Sequence, residues 1–533
     1  MYCITDKDFH GSDYGDDKYL KNWPMLYILE NGKEAYIGES TNIYNRMMQH
    51  RANEKKEKFE NVHLIYSKEF NQSVTFDYES KLIQLLAADE QYILTNGNAG
   101  IADKNYYNKE YYDKNFTALW DRLRNKKLAK HTIDEITNSD LFKYSPYKEL
   151  NESQREAVEE IFLSIMSNPE QAIVVNGIPG SGKTIVAVFL FKYLRDYIDE
   201  QGNQPFMNKK IALVIPQTSL RKTLKNLFKH IHGLKQSDVI GPSDIAKSKF
   251  DIVLVDEAHR LHQRKNITNY RAHDDNNILL ELPKDASELD WIFKQVKCPI
   301  LFYDKKQVVG PSSISYEFSD AKIKQSFKER MVTYHTLLTQ MRVKGGNDYI
   351  NYITEILNNS VSQKKNFQNY EFKLVNSFDT FENLLMEKER EKGLSRMIAG
   401  YAWPWISKKD KNLRDIHIEN SLRMWNNRTE NWVHCDSALE EVGCIHSIQG
   451  YDLNFAFVIL GNDIKFDTDK EQISIDKDNY FDAKGKATAT SEELLNYIKN
   501  IYYVLMTRGI EGTYLYVCNP ELKTYLQRFI DTI

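Results

Sequence analysis

The segment that most constrains the fold is Val174–Thr184, with the sequence Val-Val-Asn-Gly-Ile-Pro-Gly-Ser-Gly-Lys-Thr. It fits the spacing G-x-x-x-x-G-K-[ST], in which backbone N–H groups surround a phosphate, the lysine reaches the β- and γ-phosphate oxygens, and the hydroxyl is placed to hold Mg²⁺. The apolar run Ala172–Val175 predicts a buried strand before it, and Ile185–Tyr193 has helical periodicity after it. The alternative is a glycine-rich turn with a chance Lys-Thr. The pattern predicts a nucleoside triphosphate site formed by Gly177, Gly180, Gly182, Lys183 and Thr184.

The composition is that of a globular protein. The 533 residues suffice for three or four domains, each able to bury its own core. The net charge of −4 indicates no overall attraction to a polyanion, so a nucleic-acid surface would have to be a local basic patch. No apolar run reaches the roughly 18–20 residues that span a membrane, and the N-terminus has no signal-peptide pattern.

The five cysteines are widely spaced and contain no C-x-x-C. This usage argues against a disulfide framework or a zinc site and favours free thiols in a reducing compartment. We therefore expect a cytoplasmic protein.

A second motif follows the apolar run Ile252–Val255, which ends in Asp256 and Glu257. Such a run is typical of a central strand in a parallel sheet. Downstream of a phosphate loop, the first carboxylate is predicted to hold Mg²⁺ through water and the second to polarise the attacking water. An incidental acidic turn is the alternative. Thr184 and Asp256 are thus the predicted metal ligands at the triphosphate.

Four further segments occur in the order of superfamily 1 helicase motifs, and the chain resembles that superfamily. These segments are Ile300–Gln307, Leu338–Arg342, Gly443–Asp452 and Tyr502–Gly509. Taken singly, each is also an ordinary strand or turn, so the order carries the resemblance.

The helicase resemblance implies roles for residues outside the phosphate loop. Arg342 is expected to reach the nucleotide from the second lobe, and Arg508 to act as an arginine finger that stabilises transition-state charge. The residues expected to recognise adenine or to sense the nucleotide are Gln154, Asp304, Gln307, Gln449 and Gly450.

The stretch Ala399–Trp405, Ala-Gly-Tyr-Ala-Trp-Pro-Trp, narrows this resemblance. Together with the motif order, it is similar to the Schlafen group 3-like helicase domain of bacterial proteins. The resemblance covers about residues 148–533 and implies two RecA-like lobes that close around ATP.

The N-terminal part has a different pattern. Met25–Gly38 contains two β-type runs around Asn-Gly, which is a strong hairpin signal. A helix is predicted next, with Arg46 and His50 four residues apart and therefore on one face. A later helix, Tyr78–Leu86, is predicted to carry Glu79 near its start.

This order resembles the GIY-YIG endonuclease family over roughly residues 23–110. The second tripeptide is intact as Tyr36-Ile37-Gly38, whereas the first appears as Met25-Leu26-Tyr27 and departs at two of three positions. The resemblance implies that a glutamate holds one divalent metal, an arginine steadies the scissile phosphate, and tyrosines and a histidine position or deprotonate water. Phosphodiester hydrolysis needs such a Lewis acid, cation and base. The residues carried over are Tyr27, Tyr36, Arg46, His50 and Glu79, with Asn96 as the family's late asparagine.

The predicted fold class is α/β, with a small α/β GIY-YIG nuclease module followed by two RecA-like parallel-sheet lobes of a superfamily 1 helicase. A tyrosine-rich hairpin beside a surface Arg/His helix is the alternative for the first module. The predicted domains are an irregular N-terminal extension (1–22), the nuclease module (23–110), a helical connector (111–147), lobe 1 (148–325) and lobe 2 (326–533).

The predicted function is an ATP-dependent nuclease–helicase or translocase that uses Mg²⁺, or Mn²⁺ at the nuclease site. Nucleic acid is the expected partner, with DNA favoured over RNA and bacterial anti-phage defence as the favoured context. Two alternatives stay open: an ATP-driven sensor that does not separate strands, and an N-terminal module that only binds. We expect no membrane partner, and leave a homo-oligomer or a defence-system partner protein open.

Overall fold

The computed structural model describes residues 2–11, 21–97, 105–148, 150–327, 332–428, 432–448 and 451–533. Gln449 and Gly450, predicted to sense the nucleotide, lie outside the described residues. The strands are β1 Cys3–Asp8, β2 Lys21–Glu30, β3 Glu34–Asn42, β4 Asn61–Tyr66, β5 Ile93–Leu94, β6 Ala172–Gly177, β7 Ile211–Val214, β8 Val239–Ile240, β9 Phe250–Val255, β10 Val296–Tyr303, β11 Val332–Leu337, β12 Glu371–Leu374, β13 Ser395–Ala399, β14 Ile416–Ile418, β15 Ser421–Trp425, β16 Glu441–Val442, β17 Leu453–Leu460, β18 Ile464–Asp467, β19 Gln472–Ile475, β20 Gly509–Val517 and β21 Asp531–Thr532.

The helices are α1 Ile43–Arg51, α2 Gln72–Ala88, α3 Lys109–Asn125, α4 Ile133–Asn138, α5 Asp140–Lys143, α6 Glu152–Ser167, α7 Lys183–Asp196, α8 Thr218–Lys229, α9 Pro242–Ile245, α10 Tyr270–Leu279, α11 Glu288–Gln295, α12 Tyr316–Ser326, α13 Gly346–Leu357, α14 Phe378–Lys392, α15 Ile445–Ile448, α16 Ala483–Ala487, α17 Ser491–Met506 and α18 Pro520–Gln527. Among the described residues, none of these helices has the length and apolar character needed to cross a membrane.

The chain divides into two compact units. The first contains residues 1–151, 188–208 and 222–239, and the second contains residues 152–187, 209–221 and 240–533. The predicted nuclease residues belong to the first unit. The described residues of the helicase-like motifs belong to the second.

A five-stranded sheet of order β1-β4-β2-β3-β5 forms the centre of the first unit. The hairpin β2–β3 is antiparallel, and its turn contains Gly32 at φ +78°, a conformation that favours glycine. The Asn42 side chain caps α1, and the Asn71 side chain caps α2. The capped start of α2 lies six residues before the predicted start at Tyr78, so Glu79 is in the middle of the helix rather than near its first turn.

Part of the predicted N-terminal extension forms a regular strand. Its residues Cys3–Asp8 form β1, which pairs antiparallel with β4 along its whole length. The strand was missed because its side chains are exposed or half-buried, so it has no apolar alternation to detect. Backbone hydrogen bonds to a distant strand define it instead.

A six-stranded sheet of order β11-β6-β10-β9-β7-β8 forms the first lobe. The pairs β11–β6, β6–β10, β10–β9 and β9–β7 are all parallel. The central strands are buried apolar runs, as expected when helices cover both faces of a sheet. The edge strand β11 lies beyond residue 325, where the sequence-based division had placed the end of lobe 1.

A second sheet, of order β13-β17-β20-β12-β21, is also parallel throughout and forms the second lobe. Its core includes the apolar face of α17, with Ile498, Ile501 and Leu505 all buried. The predicted α/β architecture with two parallel-sheet lobes is therefore confirmed. Because the carboxyl ends of parallel strands point the same way, each lobe presents its motif-bearing loops at one edge of its sheet.

Candidate active sites

Tyr27 and Gly38 face each other across the hairpin β2–β3. The Tyr27 side chain is fully buried, and a Cβ at position 38 would overlap its hydroxyl group. Glycine is thus required at the end of Tyr-Ile-Gly so that the phenol can lie across the neighbouring strand. Tyr27 is the retained member of Met-Leu-Tyr, so the contact joins it to the intact second tripeptide.

The Tyr27 hydroxyl is the centre of a hydrogen-bonded network. Its oxygen lies 2.7 Å from His50 Nε2 and accepts a hydrogen bond of 3.1 Å from Arg46 Nε. Burial, reinforced by Lys56 and Arg46, lowers the pKa of His50 to about 3. In the neutral tautomer with an unprotonated Nε2, His50 accepts a hydrogen bond from the Tyr27 O–H, while the phenol oxygen accepts from Arg46. The helix α1 places the predicted Arg46 and His50 on one face, one turn apart.

Tyr36 lies beside this network. Its ring centroid is 6.3 Å from that of Tyr27 and 5.4 Å from that of His50. Burial raises the pKa of Tyr36, and Arg46 opposes that shift. Lys56 Nζ lies 3.0 Å from the centroid of the Tyr36 ring. No periodic pattern in the sequence singles out Lys56, which follows α1 in a short 3₁₀ turn.

Glu79 approaches the same cluster from α2. Burial, and then the charge of Glu39, raises the pKa of Glu79 to about 7, while Arg46 lowers it. Glu39 Oε2 is buried and has no hydrogen-bond partner. Sequence reasoning missed Glu39, although it directly follows Tyr-Ile-Gly. Burial raises the pKa of both carboxyl groups. A divalent cation would stabilise their charged forms and would give the unpartnered Glu39 oxygen a ligand to bind.

Asn96, expected to be the late asparagine of the nuclease family, binds the backbone of β3 through its side chain. Its side chain accepts from Ile37 N over 3.1 Å and donates to Ile37 O over 2.8 Å. Its backbone oxygen accepts a hydrogen bond of 2.9 Å from the Tyr147 hydroxyl. The side chain thus holds the strand that carries Tyr36 and Gly38.

The phosphate loop joins β6 to α7 in the second unit. Lys183 Nζ donates to Gly177 O at 2.8 Å and Ile178 O at 3.1 Å, and lies 3.0 Å from Asp304 Oδ2. Only 5% of the lysine side chain is exposed. The ammonium group therefore lies inside the curve of its own loop, where a phosphate would replace the two carbonyl oxygens.

Thr184 and Asp256 lie together at the start of α7 and the end of β9. Thr184 Oγ1 donates to Asp256 Oδ2 over 2.7 Å, and Asp256 Oδ1 is buried with no hydrogen-bond partner. Burial, and then Glu257, raises the pKa of Asp256. The hydroxyl and the orphan oxygen fit Mg²⁺, whose remaining ligands would be phosphate oxygens and water. The part of the chain that the structure describes holds no group of three or more acidic, histidine or cysteine side chains placed for a metal ion.

The surroundings of Glu257 favour its ionised form. Burial opposes its ionisation, but His259, Lys183 and Arg260 outweigh that effect and lower its pKa. His259 Nε2 lies 2.9 Å from Glu257 Oε2. Glu257 itself has φ +50°, a left-handed conformation that turns the chain sharply after β9.

Asp304, Gln307 and Arg508 form a connected series. Gln307 Nε2 donates to Asp304 Oδ2 over 2.8 Å, and Arg508 Nη2 donates to Gln307 Oε1 over 3.3 Å. Arg508 is only 1% exposed and also reaches Tyr451 O at 3.3 Å. The predicted nucleotide sensors of the first lobe and the predicted arginine finger of the second therefore meet.

Two glutamine side chains pack on the phosphate loop. Gln154 Nε2 donates to Ser181 O over 2.9 Å, and the Gln340 amide donates to Pro179 O. Cβ atoms at Gly180 and Gly182 would overlap the Gln340 and Gln154 amides respectively, and both glycines have positive φ. Glycine is thus required at both positions for conformation and for packing. Gln340 was missed because it lies 160 residues away in sequence, next to Arg342.

Arg342 forms an ion pair with Asp452. The two side chains are 16% and 21% exposed. Asp452 belongs to Gly443–Asp452, so two segments chosen as helicase motifs are in contact. The contact of Arg342 with the nucleotide stays a prediction.

Arg260 is a further residue that sequence reasoning passed over. Its Nη1 donates to Gln217 Oε1 over 2.8 Å. Burial lowers the pKa of Arg260, while Glu257 raises it. Gln217 follows β7 and Arg260 follows β9, and these neighbouring strands end at the same edge of the sheet. The position of Arg260 just after a strand that ends at this edge is the sequence signal that could have identified it as a site residue.

Two family models match the chain. The Schlafen group 3, DNA/RNA helicase domain matches residues 170–519, and the GIY-YIG catalytic domain matches residues 24–92. Both suspected resemblances are confirmed, and the chain has a motor part and an endonuclease part.

The relatives have little sequence in common with the chain. It is 27% identical over 397 residues to the uncharacterised protein YPL245W of Saccharomyces cerevisiae, a match that covers 67% of this chain and 83% of the relative. A structure titled for DNA unwinding at forked dsDNA by two coordinating Pif1 helicases is 12% identical, with TM-score 0.27 and coverage of 69% and 92% of the two chains. Bacteroides sp Pif1 in complex with ADP-AlF4 is 10% identical, with TM-score 0.28 and coverage of 70% and 93%. Because the helicase model spans more than half of the chain, the protein belongs to the Schlafen group 3 DNA/RNA helicase domain family.

Proposed function

We propose that the chain hydrolyses ATP in its second unit and uses that cycle to control metal-dependent cleavage of nucleic acid, with DNA favoured, by its first unit. The observation that carries the nuclease half is the hydrogen-bonded contact of Tyr27 with His50 and Arg46. A neutral imidazole, a phenol and a guanidinium within hydrogen-bond distance supply a proton acceptor and a cation at one point. A surface hairpin with no chemical role would not need a buried phenol and a buried imidazole beside a half-buried guanidinium.

The different surroundings of Tyr27 and Tyr36 support different roles for them in the nuclease site. Tyr27 is fully buried, and its hydroxyl group is already hydrogen-bonded to His50 and Arg46. Tyr36 is only half-buried and can meet a water molecule or a phosphate from solvent. Arg46 faces both phenols and stabilises negative charge on either one or on a phosphate. We infer that Tyr36 orients the attacking water and that Tyr27, with His50 behind it, holds Arg46 in position at the phosphate.

Glu79, with Glu39 beside it, would hold the divalent metal. When bound, such a metal supplies a Lewis acid for the phosphate. The raised pKa of Glu79 means that the empty carboxylate is readily protonated near neutral pH. Binding of a cation at Glu79 therefore competes with binding of a proton.

Lys183, Glu257 and Arg508 support ATP hydrolysis in the second unit. Lys183 would exchange its loop carbonyl partners, Gly177 O and Ile178 O, for phosphate oxygens. The lowered pKa of Glu257 keeps it ionised and able to accept a proton from the attacking water. Arg508 is within reach of the sensor residue Gln307, as an arginine finger would be.

The proposal includes the predicted division into domains, with lobe 1 extended through β11 at Leu337. It also includes ATP and Mg²⁺ as cofactors, with Mn²⁺ as an alternative at Glu79, and a cytoplasmic location. A role in bacterial anti-phage defence draws on the fusion of a nuclease with a motor, which is an analogy of architecture.

The test is cleavage of supercoiled, linear, branched and single-stranded DNA and of single-stranded RNA, with Mg²⁺ or Mn²⁺, with and without ATP. Wild type is compared with Glu79→Ala and Lys183→Ala. The matched controls are Glu57→Ala and Lys249→Ala, which remove the same charges from exposed positions.

Cleavage that is lost in Glu79→Ala and that responds to ATP only when Lys183 is present would support a coupled nuclease and motor. ATP hydrolysis stimulated by nucleic acid without cleavage of any substrate would favour the binding platform. ATP hydrolysis with cleavage but without strand separation on a forked duplex would favour the ATP-driven sensor.

A further inference from the structure

Lys56 is held next to the nuclease site by the turn that follows α1. Asn53 caps this turn by accepting the Lys55 N–H at 3.0 Å, and Lys56 N donates to Asn53 O at 2.8 Å. The turn directs the Lys56 side chain back to the sheet, where Nζ lies 3.0 Å from the centroid of the Tyr36 ring. The neighbours Lys55 and Glu57 are exposed, whereas Lys56 is half-buried.

The charges around Lys56 are of the same sign. The structure records no carboxylate within 4.0 Å of Lys56 Nζ among the described residues, whereas Lys58 pairs with Glu34 at 2.7 Å. Burial, and then the charge of Arg46, lowers the pKa of Lys56 to about 7. Lys56 in turn opposes protonation of His50. Two neighbouring cations in a partly buried cluster repel each other unless an anion joins them.

We propose that Lys56 is a second phosphate-binding cation of the nuclease site, which contacts the scissile phosphate together with Arg46. This proposal rests on the proposed nuclease function and adds a residue to it. Hydrolysis of a phosphodiester gathers negative charge on the phosphate oxygens in the transition state, and positioned cations stabilise that charge. The alternative is a structural one, in which the ammonium group only packs on the ring of Tyr36 as a cation–π contact.

The first test is single-turnover cleavage by the full chain. Lys56→Gln removes the charge and keeps the polar length, Lys56→Arg restores a cation, and Lys55→Gln is the matched control on the same turn. We expect Lys56→Gln to lower the rate about 100-fold, Lys56→Arg to recover a large part of that loss, and Lys55→Gln to behave as wild type. Equal rates for the Lys56→Gln and Lys55→Gln variants would overturn the proposal.

The second test does not depend on cleavage. The wild-type chain, in a chelator that removes divalent metals, is acetylated at lysines with and without a short duplex oligonucleotide, and the extent of labelling is read by mass spectrometry. Lys56 should be protected by the oligonucleotide several-fold more than Lys55 and Lys58, which serve as internal references. Protection of Lys56 no greater than that of the references would contradict phosphate contact.

The two tests separate this proposal from the function on which it rests. If the wild-type chain cleaves no substrate but the oligonucleotide protects Lys56, the proposed nuclease function is refuted. The proposal that Lys56 contacts phosphate is then retained. If the wild-type chain cleaves well, Lys56→Gln cleaves equally well and Lys56 is not protected, the nuclease function is supported. The proposal that Lys56 contacts phosphate is then refuted.

Discussion

Arg508 donates from Nη2 to the amide oxygen of Gln307 over 3.3 Å. The Gln307 amide nitrogen donates in turn to Asp304, whose Oδ2 also lies 3.0 Å from Lys183 Nζ. The predicted arginine finger, the predicted nucleotide sensors and the phosphate-loop lysine are therefore linked by successive contacts. A change in the partner of Lys183 alters the charge that Asp304 presents to Gln307, and through it to Arg508. These contacts give a physical path by which a ligand bound at the phosphate loop of lobe 1 can change the contacts of Arg508 in lobe 2.

Replacement of Lys183 with alanine should abolish ATP hydrolysis. The β- and γ-phosphate oxygens lose their cation, and Asp304 is left buried beside Gln307 without its lysine. We expect a loss of at least 100-fold in turnover, measured as phosphate release with and without DNA. Lys249→Ala should match wild type, and near-normal turnover in Lys183→Ala would refute the motor assignment.

Replacement of Gln307 with leucine should uncouple nucleotide binding from hydrolysis. Leucine fills the buried space but cannot bridge Asp304 and Arg508. We expect roughly a 10-fold or greater loss of turnover with a small change in affinity for a fluorescent ATP analogue, because Lys183 and Thr184 are unaffected. The glutamate variant Gln307→Glu keeps the acceptor for Arg508 but cannot donate to Asp304 and places two carboxylates side by side, so it should also lose turnover. A parallel loss of affinity and turnover would instead indicate that Gln307 acts in binding.

Replacement of Gly38 with alanine should disable the nuclease while leaving the motor intact. The added Cβ overlaps the Tyr27 hydroxyl, so the phenol must leave its contact with His50. Overpacking of a buried site costs about 1–3 kcal/mol, and we expect cleavage to fall to background with ATP hydrolysis unchanged. Gly97→Ala, at a glycine with open space around its Cβ direction, is the matched control. Normal cleavage by Gly38→Ala would show that the Tyr27–His50 contact is dispensable.

Acid should destabilise the first unit through His50. The folded state holds His50 neutral, with its pKa lowered to about 3 by burial and by the facing cations Lys56 and Arg46, whereas an unfolded histidine titrates at 6.5. Below pH 6.5 the unfolded state binds a proton that the folded state does not, so stability is complete above that pH and is lost as pH falls. Between pH 7 and 5 we expect a loss of about 1 kcal/mol, discounted for partial solvent screening.

Hydrogen exchange of the β2 amides in wild type and His50→Gln at the two pH values measures this effect. Glutamine does not titrate, so the difference in opening free energy between the two proteins should shrink at pH 5. Tyr27 and Tyr36 stay protonated in both states over this range. Glu79 and Lys56, each with a pKa of about 7, and Glu39, with a raised pKa, contribute to the pH dependence of both proteins, so the difference between wild type and His50→Gln isolates the contribution of His50. A difference that does not change with pH would mean that His50 is protonated in the folded protein.

Several features of this protein follow from sequence alone because they are local. The phosphate loop needs only the eight positions from Gly177 to Thr184, and Asp256 with Glu257 follows an apolar strand directly. Arg46 and His50 share a face because a helix repeats every 3.6 residues. The parallel lobes follow from apolar strands alternating with helices.

Contacts between distant residues were decided by the tertiary structure. Lys183 meets Asp304 because β6 and β10 are neighbours in the sheet, and no local pattern encodes that order. Glu39 meets Glu79, and Lys56 meets Tyr36, through a turn and a helix that close on the hairpin from different directions. The strand β1 exists because β4 offers it a free edge. Periodicity reports which face of an element is buried, whereas only packing determines which distant side chain that face meets.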